Sequence, residues 1–217
     1  MAATVELLLA IAIIAAGLQI PSTVFGLGSA PWLLAAGLVL FRVRGPGWRA
    51  VGLARPVSVP WTIAIGVVVG LGYQAASTFV VEPLIARLAA GELPDVSQFR
   101  NVIGNEALLL FWLLLSWTLA AVVEELAYRG WILARCVEIG GGSRGAWAGA
   151  VLVSSLLFGV VHRYQGLSGM ISTGLTGIVF GVTYLATGRN LWAAIIAHGT
   201  LDTAGFVMMY AGVYPGL

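Results

Sequence analysis

Seven apolar runs divide the chain, at roughly 5–20, 31–41, 61–81, 107–123, 145–161, 167–186 and 191–210. Most approach the ~20 residues that a helix needs to cross the hydrocarbon of a bilayer. They lack the polar/apolar alternation that marks the strands of a membrane β-barrel. Only helices and closed barrels satisfy every backbone group inside lipid, so the pattern predicts an all-α fold, a polytopic membrane bundle of about 7–8 transmembrane helices. Composition points the same way. Of the 217 residues, 59% are hydrophobic and 9% charged, against roughly 25% charged in an ordinary soluble domain. The run at 5–20 lacks a basic flank and is long for a signal-peptide core, so it reads as a retained helix.

The charges that remain are informative by position. All eleven cationic side chains are arginine, and the formal net charge is +2. They form no clustered basic face, so no nucleic-acid partner is expected. The single cysteine, Cys136, excludes an intramolecular disulfide and a thiolate metal cluster. Arg42, Arg44, Arg49 and Arg55 share a stretch with Pro46, Pro56 and Pro60. By the positive-inside rule this loop, and the N-terminus with it, is cytoplasmic. The mixed charges at 82–106 then belong to a loop on the outer side. Gly140-Gly141-Gly142-Ser143 reads as a helix stop, and Trp48, Trp61, Trp131, Trp147 and Trp192 as interfacial anchors. The pairs Gly66/Gly70 and Gly177/Gly181 predict close helix packing. There is no repeat and no soluble segment, so 1–217 reads as one membrane domain. Helices without motifs occupy 1–106 and the chemistry lies within 107–211. A composition rich in Ala, Gly and Arg points to a prokaryotic cell membrane.

An ionisable group inside a membrane helix costs about 2.5–3.5 kcal/mol on insertion scales, and so invites a functional reading. Three clusters qualify. Glu124 and Glu125 follow the run at 107–123 with no intervening loop signal, so one helix continues to about residue 135. Glu125 and Arg129 are i,i+4 neighbours in the favourable order for an ion pair. Glu124 lies about 100° away around the helix and faces elsewhere. The paired carboxylate is then structural, and the unpaired one is free for general-base work. The second cluster, Phe158 to His162, and the third, His198 with Asp202, contain the only two histidines. His198 and Asp202 share one helix face. The bland alternatives are an interfacial charge cluster at Glu124–Arg129, a loop histidine at 162 and a polar pair gluing helices at 198 and 202.

Taken in order, Glu124-Glu125-x-x-x-Arg129, Phe158-x-x-x-His162 and His198-x-x-x-Asp202 resemble the motif set of the CPBP family of intramembrane proteases, which includes the type II CAAX prenyl endopeptidases. The resemblance covers about residues 107 to 202, and the last position is aspartate where asparagine also occurs. It implies an intramembrane endopeptidase in which Glu124 activates a water and His162 assists. His198 and Asp202 help stabilise the oxyanion, while Glu125, Arg129 and Phe158 support them. A glutamate and two histidines supply what peptide hydrolysis requires without a nucleophilic side chain. The implied partners are the lipid bilayer and a peptide or protein substrate, with or without a lipid attached.

The zincin pattern His-Glu-x-x-His is absent, and the resemblance favours a mechanism without a cofactor. If a metal such as zinc binds, its ligands are Glu124, His162, His198 and Asp202. Two rival functions stay open. Gly166-Leu-Ser168-Gly169 matches a rhomboid serine-protease pattern, with His198 as its base. The buried charges also suit a transporter, or an immunity or scaffold protein. Hydropathy raises one difficulty. If 107–123 and 145–161 each cross the membrane fully, Glu124 and His162 fall at opposite faces. The catalytic reading therefore requires the Glu124 helix to be shifted, with its glutamates at mid-depth and Arg129 drawn into the bundle.

Overall fold

Short polar side chains start the helices. Ser58, Asn105, Ser143 and Asn190 each stand just before a helix and accept a hydrogen bond from a backbone N–H of its first turn, which satisfies one of the donors a helix start leaves orphaned. The computed structural model describes residues 2–19, 32, 35–37, 39 and 51–217. Among these the helices are α1 (Ala2–Gly17), α2 (Val59–Ala89), α3 (Glu106–Ile139), α4 (Arg144–Val161), α5 (Gly166–Ala186) and α6 (Leu191–Tyr210). A 3₁₀ turn at Ser97–Val102 leads into α3. The helices α2 to α6 are long and apolar enough to cross a membrane, and α1 is shorter. Most of the apolar run at 31–41, and Arg42, Arg44, Arg49 and Trp48, lie outside the described residues.

The chain is an integral membrane protein, a bundle of helices. Apolar side chains such as Val68, Leu110 and Leu156 stand about two-thirds exposed on its outside, a surface suited to lipid rather than water. Inside, α2 packs along α6 and α4 along α5. Small residues allow both contacts. A Cβ on Gly70 would lie 2.5 Å from the Ala197 carbonyl oxygen, and one on Gly66 2.6 Å from Ile196 Cβ. On α5, a Cβ on Gly177 would meet Ser155 at 3.0 Å, and one on Gly181 would meet Val151 at 2.9 Å. Both sequence-identified glycine pairs therefore lie at helix contacts.

Three expectations need correction. The sequence suggests a loop from residue 82, but α2 runs on through Glu82 to Ala89. A π-helical turn at Ser77–Val81 precedes Pro83, where the ring would otherwise strain the α-helical ladder. Trp131 is no interfacial anchor. It is buried, and its indole N–H donates to Glu6 Oε2 at 3.4 Å. Arg135 pairs with the same carboxylate oxygen, so Glu6 fastens α1 to α3. Finally, α3 ends at Ile139 rather than near 135. Gly141 and Gly142, both at φ +72°, then turn the chain through the left-handed conformation that glycine adopts without penalty.

The length of α3 resolves the depth problem. Its thirty-four residues rise on the order of 50 Å, against a hydrocarbon core of ~30 Å. Glu124 and Glu125 lie near its middle. Because the hairpin turns at 140–143, Glu124 is fifteen residues before the turn and His162 eighteen after the start of α4. Antiparallel packing of α4 on the end of α3 therefore brings the two to similar height.

The α2–α6 contact provides a test. Gly70→Leu should destabilise the bundle by about 1–3 kcal/mol through overpacking. Gly72→Leu, with no atom within 4 Å of its new Cβ, should change stability by less than about 0.5 kcal/mol. Thermal unfolding in detergent micelles measures both.

Candidate active site

Arg129 is a guanidinium in the apolar interior, 1% exposed. It reaches there because every side of it is matched. Nη1 donates to Glu125 Oε1 at 2.7 Å and Nη2 to the Gly177 carbonyl at 2.9 Å. The guanidinium carbon lies 4.8 Å from the ring centre of Phe158 and 5.5 Å from that of Phe180, as cation–π contacts require. The pair read from i,i+4 spacing is thus present, and it ties α3 to α4 and α5.

Glu125 does more than pair with Arg129. The same Oε1 accepts from His198 Nδ1 at 3.0 Å. This donation leaves Nε2 as the ring nitrogen facing the other carboxylates: Glu124 Oε2 at 3.9 Å and Asp202 Oδ2 at 3.7 Å. The two glutamates therefore converge on one imidazole rather than facing apart. The reason is local. Ser116–Glu124 and Leu126–Ile132 are π-helical, so the 100° step of an α-helix does not describe this stretch. Such turns recur at functional sites.

His162 closes α4. Its Nδ1 lies 2.8 Å from the Phe158 carbonyl, and as donor there it leaves Nε2 unprotonated. Phe158, buried, stands between the histidines, with ring centres 4.9 Å from His162 and 6.0 Å from His198. Glu124, His162, His198 and Asp202 all line one cavity of about 1000 Å³, together with Phe158. Glu125 and Arg129 lie behind that wall.

Ser168 is not part of this arrangement. It is fully buried on the first turn of α5, its Oγ has no hydrogen-bond partner, and the nitrogens of His198 face carboxylates instead. Nor does the donor set fit a metal ion as placed. Glu125 on Nδ1 leaves Nε2 of His198 as its free nitrogen, but among the described residues no three His, Cys, Asp or Glu side chains converge to hold an ion.

Sequence reading missed several lining residues. Ser116 faces the Asp202 carboxyl, and the Tyr164 ring lies tilted beside His162, 5.7 Å between ring centres. Glu82, Ser77 and Gln74 of α2 line the same cavity, although no motif marks that helix. The signal for Glu82 was the apolar Leu84, Ile85 and Leu88 beyond Pro83, which continue the run.

Residues 106–204 match the family model of the Rce1-like type II CAAX prenyl endopeptidases. No curated protein and no solved structure matches the chain. The matched segment begins with α3 and ends just past Asp202, so it holds all three motifs. The match covers a little under half of the chain.

The buried pair can be tested directly. Arg129→Ala strands Glu125 in the interior and should cost about 3–5 kcal/mol. Arg129→Lys keeps the charge but loses the planar fork shared by Glu125 and Gly177, and should fall between the two. Thermal unfolding of the purified chain orders the three proteins.

Proposed function

We propose that the Rce1-like domain of this chain hydrolyses a peptide bond within the membrane by activating a water on Glu124. The observation that carries the reading is the convergence of Glu124 and Asp202 on His198 Nε2 at the wall of a cavity that His162 also lines. In this reading Glu124 takes a proton from water as the oxygen attacks the scissile carbonyl, and later passes it to the leaving amine. His162, fixed through Nδ1 by the Phe158 carbonyl, offers Nε2 to the same water. His198, held through Nδ1 by Glu125, in its imidazolium form donates from Nε2 to the developing oxyanion. Asp202 and Ser116 orient that donor. Phe158 packs between the two imidazoles and keeps them apart.

The reaction so described needs no cofactor and no nucleophilic side chain. The absence of the zincin pattern His-Glu-x-x-His from the sequence favours it over a zinc mechanism. The substrate is a membrane-associated peptide or protein. Whether it bears a lipid is decided by the products rather than by the motifs. An orientation with the N-terminus cytoplasmic, in a prokaryotic membrane, follows from the arginines at 42–55 and the composition.

The deciding experiment is proteomics of membranes containing the wild-type chain or Glu124→Gln. Precursors should accumulate uncleaved in the variant, with turnover of an identified peptide reduced ~10²–10⁴-fold. Ser168→Ala should stay within about twofold of wild type, since its hydroxyl has no partner to lose. Activity should survive a strong chelator. Loss of activity in Ser168→Ala, or on chelation, refutes the mechanism.

A further inference from the structure

The cavity has a second polar end. Glu82, on α2, is 5% exposed, and its Oε1 accepts from the Ser77 hydroxyl at 3.0 Å and the Ser172 hydroxyl at 3.3 Å. Its other oxygen, Oε2, is buried without a hydrogen-bond partner. The Tyr214 phenol lies within hydrogen-bonding reach of the same carboxyl, and Oε2 still has no close partner. Burial pushes that phenol up, so it stays neutral. No cationic side chain among the described residues pairs with Glu82. A carboxylate has about four acceptor positions, and leaving one of its oxygens dry is costly. Glu125 also has an unpartnered oxygen, but it lies behind the wall, whereas Glu82 lines the cavity.

The surroundings indicate what would complete it. Among the described lining residues the formal charges are Glu82, Glu124 and Asp202 against Arg163, and Arg163 already donates to the Leu18 carbonyl. His198, an imidazolium in the protease reading, stands against Glu124 and Asp202, so Glu82 is the lining carboxylate without a charged partner among the described residues and complements a cation. Because both seryl hydroxyls occupy Oε1, Oε2 is the oxygen left without a partner. A single open oxygen suits the compact ammonium group better than the two-pronged guanidinium, whose strength lies in bidentate pairing.

We propose that Glu82 is a cation subsite of the cavity, which binds a primary ammonium group of the peptide substrate. The proposal rests on the protease reading for the word substrate, though the binding itself does not. The site stands apart from Glu124 and Asp202. Gln74 of α2 lies beside Gly205, a turn beyond Asp202 on α6, and from Gln74 to Glu82 α2 rises about 12 Å. With the turn of α6 from Asp202 to Gly205 added, the separation is about 16 Å, or about five residues of extended peptide. The ammonium is either a lysine side chain some five residues from the cleaved bond or a peptide N-terminus at that position.

Binding distinguishes these without requiring cleavage. The full chain carrying Glu124→Gln, in lipid nanodiscs, is titrated with three fluorescent pentapeptides. One has a central lysine and blocked ends, one has norleucine and a free N-terminus, and one has norleucine and blocked ends. At least one ammonium-bearing peptide should bind about tenfold tighter than the fully blocked one, the size of one charged hydrogen bond. Which of the two it is identifies the source. Adding Glu82→Gln should abolish the preference, and adding Asp202→Asn should leave it. Equal binding of all three peptides overturns the proposal. So does a preference that survives Glu82→Gln or disappears in Asp202→Asn. Where Glu82→Gln does not fold, Glu82→Asp draws the charge back by one methylene and must weaken the preference. Failure of cleavage in the proteomic experiment would refute the protease and leave this result standing or falling by itself.

Discussion

One buried ion pair organises the bundle. Arg129 and Glu125 are both removed from solvent, and a pair in that position carries a desolvation cost that further contacts must offset. Each partner finds such contacts on another helix, while Glu125 Oε2 is left without one. Arg129 uses the Gly177 carbonyl on α5 and the faces of Phe158 and Phe180. Glu125 uses His198 on α6. A single electrostatic contact on α3 thereby fixes the positions of α4, α5 and α6, and the orientation of the imidazole at their centre is part of how the charge is neutralised. Stability and the geometry of the candidate site are the same set of contacts.

The π-helical stretch of α3 is the backbone counterpart of that pair. An α-helix would separate adjacent glutamates by 100°. Here both approach one histidine, Glu125 on Nδ1 and Glu124 near Nε2. The stretch also begins at Ser116, which faces Asp202. Irregular helix in the middle of a membrane is tolerated where it is buried in protein or lines a cavity, and this segment does both.

Hydropathy made the bundle legible, because burying apolar runs in lipid is a strong and local signal. The motif residues were legible too, since each is an ionisable group where lipid disfavours one, and the cavity does gather Glu124, His162, His198 and Asp202. What escaped was whatever depends on partners distant in sequence. The charges at 124, 125, 129, 135 and 138 look like the end of a helix, but Arg129 is internally paired and Arg135 reaches Glu6, so α3 continues to Ile139. Pro83 and Glu82 look like the start of a loop, but Ser172, ninety residues away, helps hold Glu82 inside. Trp131 looks like an anchor until α1 supplies Glu6. In each case a tertiary contact reverses what the local pattern suggests.

The wall contributed by α2 has one more consequence. The segment that matches the family runs from 106 to 204, whereas α2 ends at Ala89, yet α2 and the matched helices face each other across one chamber. The shape of what that chamber admits is thus written partly in a helix that the family's shared pattern does not constrain.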